Sequence, residues 1–110
     1  MDFYRYKAVV VSVYDGDTVR LDIDLGFNTW LHNQPVRLYG INTPELRGSE
    51  RERGLEVRDA LRARIMNKAI VLESHKDRTG KYGRYLGTLW DGDENINGWL
   101  LDEGMAEPYL

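Results

Sequence analysis

Residues 36–65 read VRLYGINTPELRGSERERGLEVRDALRARI. The opening six, Val36-Arg37-Leu38-Tyr39-Gly40-Ile41, carry the β-branched and bulky residues of a strand. Asn42-Thr43-Pro44-Glu45 ends that strand, because Pro44 holds Thr43 extended and has no N–H for a ladder. A polar loop runs to about Gly48, and from Ser49 the period changes. Ser49 with Glu52 three residues on is a capping pattern, and Val57, Leu61 and Ile65 recur at i, i+4 and i+8 with Ala60 beside them. A strand therefore hands over to a helix, which Asn67-Lys68 closes.

The flanking segments say what that helix is inserted into. Residues 6–14 and 17–25 favour strand, and the Asp-Gly between them suits a tight hairpin. Asn33-Gln34-Pro35 reads as a turn before the third strand. After the helix, Ala69–Glu73 resumes strand, Asp77–Gly83 is a glycine-containing loop, and Arg84–Trp90 completes a second hairpin. Asp91-Gly92-Asp93 is a turn, and Asn95–Glu103 is a short helix that Gly104 terminates. The class is α+β, mainly β. Its order matches an OB-fold, a five-stranded Greek-key barrel with a helix between strands 3 and 4 and a short C-terminal helix. An α+β sandwich can present the same string of elements.

Length and composition narrow the classes. A chain of 110 residues, 42 % hydrophobic and 30 % charged, suits one folded domain over residues 1–110. The net charge of −3 means that a polyanion would have to be met locally rather than by a global basic field. With no cysteine, disulfides, thiol catalysis and thiolate metal sites are excluded. No apolar run is long enough to span a membrane and the N-terminus has no apolar leader core, so a soluble chain without a leader is expected, its compartment open.

Four stretches concentrate the candidate chemistry: Asp15-Gly16-Asp17-Thr18, Arg37, Asn42-Thr43-Pro44-Glu45 and Lys81-Tyr82-Gly83-Arg84. Asp-Gly alone is a common turn. Arg37 interrupts an apolar strand, and a buried guanidinium needs an anion: an internal one, Asp17 or Glu45, or a ligand. Arg51, Arg53, Arg58, Arg62 and Arg64 fall largely off the apolar stripe of the helix and read as a solvated face, with a nucleic-acid contact as the alternative. Asp91–Asn97 has the alternating oxygen donors of an EF-hand start, but Ile96 stands where glycine is required, so it reads as a turn and cap.

Together these stretches resemble the staphylococcal nuclease family, in which an OB-fold barrel carries D-G-D-T, then R-L and D-T-P-E or D-A-P-E, then K-Y-G-R. Gly98 to Ala106 resembles the later helix of that family. The resemblance implies calcium-dependent hydrolysis of phosphodiester bonds in single-stranded DNA and in RNA by a monomer, with no membrane partner. It implies Asp17, the side chain of Asn42 and the backbone carbonyl of Thr43 as calcium ligands, and Glu45 as general base. Arg37 and Arg84 would clamp the phosphate, Lys81 and Tyr82 would hold a neighbouring one, and Tyr109 would stack on a base. Asn42 departs from the family's aspartate and removes one negative charge. The sequence also ends at Leu110, where better-known members continue into a further helix. The contrasting expectation is an inactive OB-fold module binding single strands or a protein, its aspartates and arginines merely pairing with each other.

Overall fold

The computed structural model describes residues 4–79 and 85–109, with the side chains of 76–79 left out. Three long strands open the chain: β1 (Arg5–Asp15), β2 (Thr18–Asp24) and β3 (Trp30–Leu38). Two more, β5 (Ala69–Thr79) and β6 (Tyr85–Asp91), follow the helix α1 (Arg51–Ile65). The short strands are β4 (Ile41–Asn42), β7 (Glu94–Asn95) and β8 (Glu107–Pro108), and the second helix is α2 (Ile96–Asp102).

Antiparallel pairing runs β3-β2-β1-β5-β6, and β3 then pairs in parallel with β6 through Val36–Leu38 and Tyr85–Gly87. That last pairing closes a five-stranded barrel and leaves no free edge between β3 and β6, which is the OB arrangement. The barrel interior takes Val10, Val13, Val19, Leu21, Val36, Leu38 and Leu89, all within 1 % of complete burial. The stripe Val57, Leu61 and Ile65 is fully buried beneath them. Each such side chain contributes roughly 1.5–3 kcal/mol by leaving water, so this plug is a principal source of stability.

Three local expectations are corrected. Asn33-Gln34-Pro35 is no turn: β3 runs straight through it, with a bulge at Asn33, whose φ of 55° reads like turn chemistry. The Asp22 carboxylate opposite accepts the Asn33 N–H at 2.8 Å. Pro35 is tolerated because pairing with β6 begins only at Val36. The third strand also stops at Leu38, and Ile41-Asn42 instead pairs with Glu107-Pro108 after a turn at Gly40. Finally, Ser49 does not cap α1; a 3-10 turn over Gly48–Glu50 leads in, and Glu50 occupies the cap position without a side-chain bond to the helix.

The arginine face of α1 is not simply solvated. Arg62 donates to the Val13 carbonyl at 3.1 Å, and Arg64 pairs with Asp91 at 2.8 Å and with Glu94. These side chains reach past the apolar stripe to the barrel. At the far end Asn95 caps α2 by accepting the Gly98 N–H at 3.0 Å, and Gly104 at φ 71° ends the turn that follows. Among the described residues no helix is long and apolar enough to cross a membrane.

Candidate functional site

The β1–β2 turn, the end of β3 and the 42–45 loop converge on one cleft of about 390 Å³. Its lining includes Tyr14, Asp15, Asp17, Arg37, Asn42 and Glu45. The turn is self-made: the Asp15 carboxylate accepts the Asp17 N–H at 3.0 Å. Gly16 then allows closure, since a Cβ there would fall 2.6 Å from Val57 Cγ1 and 2.7 Å from Thr43 Oγ1. Only a residue without a side chain lets α1 and the 42–45 loop press this close to the turn.

Asp17 is 5 % exposed and accepts hydrogen bonds on both carboxylate oxygens. Arg37 Nη1 donates to its Oδ1 at 2.9 Å, the Thr43 N–H to its Oδ2 at 3.0 Å, and the Thr18 hydroxyl to Oδ1 at 3.3 Å. Of the anions open to Arg37, then, Asp17 is the one it holds. Arg37 Nη2 also donates to the Ile41 carbonyl at 3.1 Å and the Asn42 Oδ1 at 3.4 Å, so one guanidinium ties the strand end, the turn and Asn42 together. A guanidinium has five N–H donors, and these three bonds leave it capacity for a ligand.

The two aspartates titrate apart. Burial, and next the charge of Asp17, push the Asp15 carboxyl up to about 6. Burial works in the same direction on Asp17, but the hydrogen bonds from Asp15, the Thr43 N–H and Arg37 together outweigh it and lower its pKa. Among the described residues the cleft holds three carboxylates, Asp15, Asp17 and Glu45, against the guanidiniums of Arg37 and Arg47, so it is short of positive charge. The side-chain oxygens that could receive a cation here are the Asp15 and Asp17 carboxylates and the Asn42 amide, with Thr43 also in the lining. Hard oxygen donors of this kind are what a divalent cation such as calcium takes. Among the described residues no three carboxylates or histidines gather in a metal-binding group.

Glu45 is positioned through its backbone rather than its side chain. Its N–H donates to Glu50 Oε1 at 2.9 Å, while a Cβ on Gly54 would lie 2.4 Å from its carbonyl oxygen. The carboxylate itself is 62 % exposed and accepts from Arg47 Nε at 3.1 Å. Tyr109, 53 % exposed, lies with its ring 5.5 Å from the Arg37 Cζ. Its N–H donates to the Gly40 carbonyl at 2.8 Å, which pins the last described turn of chain to the strand end. Lys81, Tyr82 and Arg84 lie outside the described residues.

Sequence reading missed Glu50, Gly54 and Arg47 as supports of Glu45. Gly54 had a signal: glycine inside a helix costs about 1 kcal/mol against alanine and usually has a packing reason. It also missed Asn97, 4 % exposed, which donates to the carbonyls of Tyr39 and Gly87 and accepts from the Leu89 N–H. That residue fastens α2 to the turn leaving β3.

Residues 35–110 match the family model described as staphylococcal nuclease homologue. The chain is 33 % identical over 100 residues to the thermonuclease of Staphylococcus hyicus, covering 88 % of this chain and 56 % of that protein. It is 34 % identical over 114 residues to Protein ParB of Escherichia coli, covering 94 % of this chain and 57 % of that protein. The chain thus spans a little over half the length of these relatives.

Proposed function

The chain belongs to the staphylococcal nuclease homologue family, and we propose that it hydrolyses phosphodiester bonds of single-stranded DNA and RNA as a calcium-dependent endonuclease. The observation that carries this reading is one cleft that gathers the Asp15-Asp17 pair, the Arg37 guanidinium and the exposed Glu45 carboxylate. Arg37, joined by Arg84, would hold the two non-bridging oxygens of the scissile phosphate, as planar guanidinium forks do well. Glu45 would accept a proton from the attacking water as its oxygen bonds to phosphorus. The bond from phosphorus to the leaving oxygen breaks, and that oxygen takes up a proton. A calcium ion held by Asp17, Asn42 and the Thr43 carbonyl would supply positive charge opposite the phosphate oxygens.

Lys81 and Tyr82 would hold a neighbouring phosphate, and Tyr109 a base. Catalysis of this kind is positioning plus electrostatics, so a cleft with fixed donors suffices. The internal pair between Asp17 and Arg37 favours a second reading, an inactive module that binds single strands.

Digestion of heat-denatured DNA over a calcium series separates the two. Wild type should degrade the DNA at millimolar calcium and not in chelator, and Glu45→Gln and Arg37→Ala should slow it by at least about a hundredfold. DNA left equally intact by all three proteins rules out hydrolysis.

A further inference from the structure

Tyr14 is 65 % exposed, lines the same cleft, and has no partner among the described residues. Exposed tyrosines are common on this surface, so exposure alone means little. What sets Tyr14 apart is its backbone. Val13 pairs with Val19 and Asp15 with Thr18, so two steps of β1 face one step of β2 and Tyr14 is the extra residue of a β-bulge. Bulges re-aim a side chain and recur beside active sites. The bulge is braced from outside the sheet by Arg62 of α1, which donates to the Val13 carbonyl at 3.1 Å. An aromatic side chain, 65 % exposed, is thus carried beside the cleft on a braced backbone.

Charge decides what settles against it. Asp15, next in sequence to Tyr14, offers no positive charge to hold a phosphate against the ring, whereas Arg37 in the same cleft does. A neutral base needs no counter-charge and gains contact with the ring. Tyr109, 53 % exposed, lies against Arg37, so a second exposed ring borders the guanidinium that would take the phosphate.

We propose that Tyr14 is a nucleotide-positioning residue, a stacking platform for a base of the single strand bound at the cleft; this rests on the nucleic-acid reading of that cleft. The test is equilibrium binding of a fluorescent oligodeoxythymidylate and of an abasic strand of the same length, both in calcium. Glu45→Gln serves as the parent protein, so that nothing is cleaved.

Adding Tyr14→Ala should weaken oligothymidylate binding about tenfold and leave the abasic strand within about twofold, while Tyr14→Phe and Tyr14→Trp bind as the parent does. The unfolding midpoint should not move, because the side chain is exposed. Unchanged oligothymidylate binding in Tyr14→Ala overturns the inference. So does equal weakening on both strands, or a parent that binds neither. Hydrolysis is measured separately with Glu45 restored. A protein that binds with this Tyr14 dependence yet cleaves nothing removes the hydrolase reading alone, and one that cleaves while Tyr14→Ala binds unchanged removes only the platform.

Discussion

Gly54, in the first turn of α1, lies directly against Glu45: a Cβ built on it would sit 2.4 Å from the Glu45 carbonyl oxygen and 2.9 Å from that of Pro44. Both obstacles are backbone, so neither can swing aside. Gly54→Ala should therefore gain helix propensity and still lose about 2 kcal/mol or more through overpacking. It should also shift Glu45 and lower hydrolysis more than the stability loss explains. Urea unfolding and rates at temperatures where the variant stays folded check both parts; a more stable, fully active Gly54→Ala would show that the loop yields freely.

Asn97 offers a second test of how the site is held. Its amide satisfies two carbonyls and one N–H at the junction of β3, β6 and α2, all buried or nearly so. Asn97→Ala strands the Leu89 N–H and the Tyr39 carbonyl, while the Gly87 carbonyl keeps the Tyr39 N–H at 2.8 Å, and it opens a small cavity, so a loss of roughly 2–4 kcal/mol is expected. Asn97→Asp should be at least as harmful at neutral pH, because a carboxylate would face the Tyr39 and Gly87 carbonyls without a proton to donate. Denaturant midpoints of the two variants at pH 7 give the comparison.

Much of this fold is legible in the chain because its signals are local. The i, i+4, i+8 recurrence of Val57, Leu61 and Ile65 reports which face of α1 is buried, and the strand and turn chemistry around it gives the barrel order. What the chain hides are choices made by tertiary partners. Asn33 and Pro35 have turn chemistry, but the bulge at Asn33 uses the same positive φ as a turn, and only pairing with β2 decides between them. Ser49 and Glu52 spell a cap, yet the neighbouring Glu50 carboxylate is drawn to the Glu45 N–H, and the helix starts later. Periodicity shows that Arg62 and Arg64 leave the apolar stripe; it cannot show that a barrel carbonyl and Asp91 wait for them. At the site, Arg37 stood out as a residue needing an anion, with Asp17 or Glu45 as internal candidates, while the close approaches at Gly16 and Gly54 are set by tertiary packing.

The raised Asp15 carboxyl gives a pH signature. A pKa of about 6 against an ordinary 3.8 means that the folded protein binds this proton more tightly than the unfolded chain. The group's contribution to stability is therefore complete below pH 3.8 and is lost as pH rises through about 6. In chelator, wild type should lose on the order of 2 kcal/mol between pH 4.5 and 8 from this group. Asp15→Asn, whose amide oxygen can still accept the Asp17 N–H, should abolish that loss and be the more stable protein at pH 8. Denaturant unfolding of both proteins across this range checks it, and parallel pH profiles would show that Asp15 ionises normally.

Asn42 bears most directly on the proposed cation site. Its Oδ1 lies 3.4 Å from Arg37 Nη2 and shares that guanidinium with Asp17, so a carboxylate at 42 would join the Asp15-Asp17 pair in the same cleft. Asn42→Asp adds a charged hard-oxygen ligand, and calcium affinity rises with the number of such ligands. The calcium concentration for half-maximal hydrolysis should fall, by roughly tenfold if the added carboxylate contributes about 1.4 kcal/mol of binding. In chelator the same variant should be less stable than wild type, because a further carboxylate then joins the Asp15-Asp17 pair with no added cation to offset it, and added calcium should restore it. Thermal unfolding with and without calcium reads this independently of activity. A variant with an unchanged calcium requirement and no calcium-dependent gain in stability would place residue 42 outside the cation's reach.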